Sequence, residues 1–141
     1  MARVAVDELV DAHLQHEARG EIDAALAAFA DDVIFDVVNA PGGPMIGIDA
    51  VRRGYETFAS VAQCEAFTPV RRLHGENLVV DEGMWQGRFV GALFGPARPD
   101  LTVRYRVLHV LEFRAGRIVR ETAWHDLAAI RRQLAGEEPS S

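Results

Sequence analysis

The chain has 141 residues, a hydrophobic share of 49% and a net charge of −6, which fits one globular domain able to bury a core without disulfide or metal staples. The acidic balance disfavours nucleic acid as a partner, and the single Cys64 excludes an internal disulfide and a thiolate zinc site. All fifteen basic residues are arginine, which excludes Schiff-base chemistry, pyridoxal phosphate anchoring and P-loop phosphate transfer, since each needs a lysine amine.

The N-terminal segment and the hydropathy pattern also bear on location. No apolar run approaches the roughly 18–20 residues that a membrane span needs. The opening stretch "MARVAVDELVDAHLQHE" becomes charged too early for the apolar part of a signal peptide. We therefore expect a cytoplasmic protein that does not associate with membranes.

The first half of the chain predicts three helices and one strand. Apolar spacing predicts a helix over about 4–18, and the stretch "EIDAALAAFA" predicts a second helix directly after Gly20. The β-branched run "DDVIFDVV" predicts a strand, closed by the Pro/Gly-rich loop "NAPGGPMIG". A third helix is predicted over about 49–61, with Asp49 as its N-cap.

From residue 66 onward the pattern changes to long strands. The stretches "FTPVRRLH", "NLVVDEGMWQGRFVG", "LTVRYRVLHVLEF" and "RIVRETAWHD" predict four of them, and the loop "ALFGPARPD" is a candidate lid. A C-terminal helix is predicted to end near Leu134, and 136–141 is predicted to be disordered. Helices followed by a strongly bent antiparallel sheet indicate an α+β fold in one domain, 1–135.

Alternation along the strand 101–113 predicts which residues face the core. One face carries a polar set, and the other is predicted to be buried and consists of Val103, Tyr105, Val107, His109, Leu111 and Phe113. A turn over 114–117 would pair Tyr105 with Asp126 in the following strand. That register places Trp124 and Asp126 on the inner face, turns His125 outward, and also brings Arg120 inward.

Three segments together resemble a known family. The stretches "GEIDAALAAFADDVIF", "WQGRFVG" and "LEFRAGRIVRETAWHDLAAIRRQL" are similar to the SnoaL-like polyketide cyclase branch of the NTF2-like superfamily. The last is the most specific, with a turn glycine, Ile118, an aspartate eight residues on, and a helix ending in Gln133 and Leu134. The resemblance covers about residues 5–135.

The resemblance implies a cone, in which a curved mixed sheet wraps around helices and leaves an apolar pocket open at one end. It also implies a homodimer, catalysis without a cofactor, and a carboxylate inside the pocket. The aspartate that supplies this carboxylate in the cyclase branch corresponds to Asp126 in this sequence. Its histidine partner has His109 as the best candidate, and either tyrosine of the chain could supply a phenol, as in ketosteroid isomerases.

Asp126 has two interpretations that the residues leave open. It stands where a helix N-cap would accept backbone N–H bonds from Ala128 or Ala129, and such bonds would lower its pKa. In an apolar pocket its pKa would instead rise, which suits a group that removes a proton next to a carbonyl. With the resemblance, we predict Asp126 and His109 as the catalytic pair, although His109 could equally be a core histidine.

The remaining candidates are aromatic residues and one histidine. His13 is predicted to line the pocket mouth, and with His16 and Glu17 it makes a poor metal site because no third ligand is in view. We predict no metal and no cofactor. The aromatic residues predicted to contact a hydrophobic ligand are Phe35, Tyr55, Phe58, Trp85, Phe89, Tyr105 and Trp124.

Two functions follow from these features. The first is a cofactor-free general acid/base enzyme acting on a hydrophobic carbonyl compound, of the cyclase, isomerase or dehydratase type. The alternative is a non-catalytic small-molecule-binding or accessory protein of the same fold. We also predict a homodimer through the sheet face that carries Val119 and Ala123.

Overall fold

A computed structural model describes residues 2–137 and shows the α+β fold that the sequence predicts. No helix in this part of the chain is both long enough and apolar enough to cross a bilayer. Most of the tail predicted to be disordered, residues 138–141, lies outside the described residues. The elements in chain order are α1 (Arg3–Ala18), α2 (Ile22–Leu26), β1 (Phe29–Val37), β2 (Met45–Ile46), α3 (Ile48–Val61), β3 (Ala62–His74), β4 (Leu78–Phe89), β5 (Arg98–Arg114), β6 (Arg117–His125) and α4 (Leu127–Leu134).

The strands form one curved, open, mixed sheet. Their order is β2-β1-β6-β5-β4-β3, in which β1 runs parallel to β6 and all other neighbours are antiparallel. Buried residues of α1 and α3 pack with β1, β5 and β6 in one core cluster, while α4 packs with β4 and β5 in a second. The sheet thus carries its helices against one face, as the cone predicted from the resemblance requires.

Two helix boundaries differ from the predicted ones. The second helix ends at Leu26, because Phe29 pairs with Ile118 in the parallel ladder and so belongs to β1. Helix α3 begins after Gly47, whose φ of 87° suits only glycine, and no side chain caps it. Asp49 is not the N-cap but lies in the first turn, where a carboxylate favours the helix dipole.

The hairpin between β5 and β6 begins as predicted. Ala115 and Gly116 both have positive φ, 52° and 76°, which is the type I′ turn that tight hairpins favour. Arg114 pairs with Arg117 across this turn. The alternation predicted for β5 is also confirmed, since its buried positions are Val103, Tyr105, Val107, His109 and Leu111. The sixth predicted residue, Phe113, is half-buried and packs against the core.

Beyond the turn, the predicted register is wrong by one residue. Phe113 pairs with Ile118 but Glu112 pairs with Arg120, so β6 carries one extra residue, a β-bulge at Val119. His109 therefore lies opposite Ala123 instead of Thr122. Because side chains alternate along a strand, this shift moves every later residue of β6 to the opposite face of the sheet.

The bulge reverses the faces that were predicted for four residues of β6. His125 faces the inside of the fold, whereas Trp124 is 39% exposed on the outer face. Arg120, predicted to face inward, lies 3.2 Å from Asp36 on the outer side. Ala123 is only 1% exposed and so cannot contribute to the dimer surface that we predicted there.

Candidate active site

A cavity of about 390 Å³ lies between the helices and the sheet. Its walls are mainly apolar and come from the end of α1, from β1, from α3 and from the loop after β4. Phe35, Tyr55 and Phe58 line it, as predicted, and the candidate lid loop contributes Leu93 and Phe94. The charged or polar side chains that reach it are His16, Glu17, Arg53, Tyr55, Thr57 and His125.

Three of the predicted ligand-contacting aromatics lie behind the cavity wall. Trp85 stacks on Phe89 with a centroid distance of 5.3 Å and lies 5.2 Å from the Tyr105 ring. All three are buried in the second core cluster and none lines the cavity. They support the wall formed by Phe94, whose ring meets Phe89 edge to face.

Trp124 and Asp126 lie away from the cavity. Trp124 is on the outer sheet face, and Asp126 is exposed at the start of α4. The Asp126 Oδ1 accepts a hydrogen bond from the Ala129 backbone N–H at 3.1 Å, which is the geometry of an N-cap. Of the two interpretations of Asp126, the structure therefore shows the cap, and the catalytic role has no support from its position.

His109, predicted as the partner of Asp126, is buried in the sheet and does not line the cavity. It lies between Asp81 on β4 and Ala123 on β6, with Phe67 edge-on to its ring. Burial lowers the pKa of His109, and within residues 2–137 its Nδ1 has no hydrogen-bond partner. This is a core histidine, the other interpretation that the sequence left open.

His13 lies beneath the cavity instead of at its mouth. Its side chain is fully buried, and its Nδ1 donates to the Ala25 carbonyl at 2.9 Å. Its Nε2 lies 2.9 Å from Oε2 of Glu121, also fully buried. A carbonyl oxygen only accepts, so Nδ1 carries a proton, and a second proton must lie between Nε2 and the carboxylate.

Glu121 is the strand partner that sequence reasoning missed. Besides His13, it accepts a hydrogen bond from the hydroxyl of Tyr55. Burial alone would raise the pKa of Glu121, but the charge and hydrogen bond of His13 outweigh it and hold the pKa at about 2. Glu121 and His13 thus form a buried ion pair between β6 and α1.

Glu17 lies one helical turn after His13 and is the carboxylate that reaches the cavity. Its side chain is 20% exposed, yet its Oε2 is buried, lies 3.6 Å from the His13 Nε2, and has no hydrogen-bond partner in the described part of the chain. Burial, and then the negative charge of Glu121, raise the pKa of Glu17 well above its usual value. Glu17 is therefore a carboxyl group beside an apolar cavity, and its ionised form is disfavoured there.

His13, Glu17 and Glu121 could also hold a metal ion, because each offers one donor atom and these atoms lie within 4.8 Å of one another. Ligands on a tetrahedral zinc ion with bonds of about 2.0–2.1 Å lie roughly 3.3 Å apart. The His13 and Glu121 atoms lie 2.9 Å apart, which is a hydrogen-bond distance. The arrangement fits a proton between the two groups better than a metal ion.

His125 adds a second polar group to the cavity wall. Its Nδ1 lies 2.9 Å from the hydroxyl of Tyr105, and its ring contacts Phe94 and Phe58. Burial lowers the pKa of His125 to about 3, so the ring is neutral at physiological pH. The predicted register placed His125 on the outer face of the sheet, because no feature of the sequence indicated the bulge at Val119.

A curved mixed sheet that holds helices on one face, with a cavity between them, defines the NTF2-like class of α+β folds. Residues 10–121 match the SnoaL-like domain, which is most of the chain, and the protein belongs to this family. The predicted family and fold are thereby confirmed. A search of curated proteins finds no match to the sequence.

Solved structures agree on the fold. TsrD from Streptomyces laurentii has a TM-score of 0.80 at 17% identity, covering 97% of this chain and 99% of that one. A candidate polyketide cyclase from Xanthomonas campestris pv. campestris has a TM-score of 0.72 at 24% identity, with coverages of 89% and 93%. A protein of ketosteroid isomerase-like fold from Catenulispora acidiphila DSM 44928, in complex with trimethylamine, has a TM-score of 0.68 at 17% identity, with coverages of 82% and 83%.

Proposed function

We propose that this chain is an enzyme that needs no cofactor and moves a proton at a carbon next to a carbonyl group of an apolar small molecule. The observation that carries the proposal is Glu17, whose side chain lines an apolar cavity and is 20% exposed, while its Oε2 is buried against His13. This residue takes the role that the sequence assigned to Asp126. Isomerisation, cyclisation and dehydration all begin with this proton transfer.

The environment of Glu17 suits the reaction in a specific way. A carboxylate in water is a weak base towards a carbon acid, because its proton affinity is too low. Burial and the nearby Glu121 raise the pKa of Glu17, which raises the proton affinity of its carboxylate form. The fraction of Glu17 that is ionised then acts as a stronger base than an exposed glutamate would.

The proposed reaction uses only this proton. The Glu17 carboxylate removes a proton from the carbon next to the carbonyl, and the C–H electron pair moves into an enolate. Return of the proton to a different carbon gives an isomer. In ring closure the enolate carbon attacks a second carbonyl, and the alkoxide that forms takes the proton back from Glu17. In dehydration the β-hydroxyl takes that proton and leaves as water. No step oxidises or reduces the substrate, so no redox cofactor is needed.

Two further observations support this function. The cavity walls are mainly apolar and include Phe35, Phe58 and Phe94, which suits a hydrophobic ligand. The fold is shared with a candidate polyketide cyclase and with a ketosteroid isomerase-like protein that has a small molecule, trimethylamine, in its complex. A purely ligand-binding protein would need the apolar walls but not a carboxyl group with a raised pKa among them.

The test uses a simple ketone, 2-acetylnaphthalene, in deuterated buffer. Enolisation exchanges its methyl protons for deuterium, which NMR follows directly. We expect the protein to accelerate the exchange, and Glu17→Gln to reduce the acceleration by about 10²–10⁴, the usual contribution of a general base. Glu8→Gln is the matched control, because Glu8 is exposed on the same helix.

The outcomes separate the two functions. An unchanged exchange rate in Glu17→Gln would remove Glu17 from the mechanism. A protein that binds the ketone without accelerating exchange would be the non-catalytic binder, and the enzyme proposal would be wrong. The rate should also rise with pH through the raised pKa of Glu17 instead of levelling off near the ordinary value of 4.5.

We further propose that the chain forms a homodimer through the outer sheet face. The cross-strand register places Leu73 opposite Val80, and Val80 opposite Val110, while Leu108 lies opposite Trp124. Of these, Leu73 is 52% and Trp124 39% exposed. Residues directly opposite on neighbouring strands share a face, so these five form one apolar outer patch.

Light scattering at micromolar concentration tests this assembly. We expect the mass of a dimer, and a monomer for Trp124→Glu, because a charge within the patch opposes burial. Ile46→Glu serves as the control, since Ile46 is 71% exposed on β2 and lies outside the patch. A wild-type monomer, or a Trp124→Glu dimer, would contradict the proposed interface.

A further inference from the structure

We infer that His125 binds the carbonyl oxygen of the ligand through its Nε2–H group, and that Tyr105 is the positioning residue that fixes the required tautomer. The inference rests on the proposed function and names a second polar group for the same cavity. It also narrows the ligand class to molecules that present an oxygen acceptor to this wall.

The bulge in β6 is what brings His125 to the cavity. Val107 lies directly opposite His125 in the sheet, and Val107 and Tyr105 are both buried on the same face of β5. The imidazole then packs 5.2 Å from the ring of Phe94 and 5.9 Å from that of Phe58, both of which line the cavity. The ring is thus held by packing on an apolar wall.

The hydrogen bond to Tyr105 determines the tautomer. The Tyr105 hydroxyl lies 2.9 Å from His125 Nδ1, and no other acceptor for it occurs among residues 2–137. Burial raises the pKa of the Tyr105 phenol, so its O–H proton stays in place and needs an acceptor. If Nδ1–H donated instead, that phenol proton would be buried without a partner, which costs about 1–3 kcal/mol.

Tyr105 therefore donates to Nδ1, and the single proton of the neutral imidazole lies on Nε2. In the described chain Nε2 has no hydrogen-bond partner, and it is not among the buried polar atoms that lack one, so it remains accessible from the cavity. The result is a neutral N–H donor, fixed in orientation, on an apolar wall.

A neutral imidazole donor matches the proposed chemistry. When Glu17 removes a proton, negative charge develops on the carbonyl oxygen, and a fixed donor in an apolar site stabilises that charge more than water would. A histidine whose lowered pKa keeps its ring neutral can polarise a carbonyl group by donating a hydrogen bond to its oxygen. An ammonium ligand would gain nothing from this donor, because it brings no acceptor.

The first experiment reads the tautomer in the free protein. Two-bond ¹H–¹⁵N spectra of histidine-labelled protein distinguish Nε2–H from Nδ1–H imidazole. We expect the Nε2–H form for His125, without titration down to pH 5, and loss of that preference in Tyr105→Phe. Tyr55→Phe is the control, because Tyr55 bonds to Glu121 and leaves His125 untouched. An Nδ1–H form, or titration near pH 6.5, would overturn the inference.

The second experiment observes the donor on a ligand. The ¹³C carbonyl signal of labelled 2-acetylnaphthalene should move downfield on binding, and the move should disappear in His125→Phe. Ketone affinity in that variant should fall about 3- to 10-fold, as for one neutral hydrogen bond, while naphthalene affinity stays unchanged. A bound ketone without the downfield move would overturn the role of His125.

These outcomes are distinguishable from a failure of the proposed function. If the ketone binds without the downfield move but Glu17 still accelerates exchange, only the His125 inference is wrong. If the ketone carbonyl signal moves downfield and this move depends on His125, but no exchange occurs, the inference about His125 holds and the enzyme proposal fails. If the ketone does not bind at all, both are contradicted.

Discussion

Two charged clusters join helix α1 to the sheet, and they differ in how their carboxylates are neutralised. In the first, Arg72 lies 3.1 Å from Asp7, 2.7 Å from Asp11 and 2.8 Å from Asp81. In the second, His13 Nε2 lies 2.9 Å from the buried Glu121 and 3.6 Å from Glu17, so two carboxyl groups share one histidine.

The difference is consistent with a structural role for the first cluster and with the acid–base role that we propose for the second. A guanidinium is permanently charged, so the carboxylates around Arg72 have a fixed partner, and their ion pairs hold α1 on the sheet. In the second cluster the cation of His13 is committed to Glu121. The pKa of Glu17 is raised, because burial and the charge of Glu121 disfavour its ionised form, and its side chain lines the apolar cavity.

The largest effect should come from breaking the second cluster at Glu121. Removing one partner of a buried ion pair leaves an uncompensated charge and typically costs about 3–5 kcal/mol. We therefore expect Glu121→Ala to lower the free energy of unfolding by that amount in urea titrations. Glu112→Ala is the matched control on β5, since Glu112 is 45% exposed and should change stability by less than about 0.5 kcal/mol. Equal losses in both variants would contradict the account.

Breaking the first cluster should cost less. Arg72→Met removes the partner of Asp81, which is buried, but Asp7 and Asp11 are solvated enough to stand alone. We expect a loss of about 1–3 kcal/mol, the range for one unsatisfied buried polar group. Arg71→Met, at the neighbouring exposed position, should leave stability unchanged in the same urea titration. A loss for Arg72→Met larger than that for Glu121→Ala would reverse the comparison.

A smaller effect is expected in the pH dependence of stability, when the wild type is compared with Glu17→Gln. Its pKa is raised in the folded state, so its contribution to stability is present below pH 4.5 and is lost as pH rises through the folded pKa. Glu17→Gln cannot titrate. The stability of the wild type relative to this variant should therefore fall with increasing pH, by up to about 1.4 kcal/mol per pH unit. A difference that grows in favour of the wild type would contradict the raised pKa.

Much of the fold could be predicted from local patterns. Period-two alternation predicted the buried face of β5, and the Ala-Gly turn predicted the hairpin to its first pair. The order of helices and strands carried the family resemblance. These features depend on neighbours in the sequence, which is why they could be predicted from the sequence alone.

The site depended on features that local patterns do not contain. One extra residue at Val119 exchanged the inner and outer faces of β6 and so replaced Asp126 with His125 in the cavity. The inward position of Arg120 in the predicted register was the warning of this error. A bulge changes pairing without changing composition, so a strand with and without one has the same alternation over most of its length.

The position of Glu17 on helix α1 could be predicted from the sequence, but its proximity to Glu121 could not. Val6, Val10 and His13 continue one face of α1, and Glu17 follows His13 at the next turn, so a polar extension of an apolar stripe was the available signal. What gives it meaning is Glu121, which lies 108 residues from His13 in the chain. Only the tertiary fold brings these groups together.

The most direct test of the account is the titration of the Glu17 carboxyl carbon by ¹³C NMR, assigned by its absence in Glu17→Gln. We expect a midpoint well above 4.5, because burial and the charge of Glu121 both oppose ionisation of Glu17. A midpoint at or below 4.5 would show that Glu17 is an ordinary carboxylate, and it would contradict the claim that this residue is the acid–base group of the cavity.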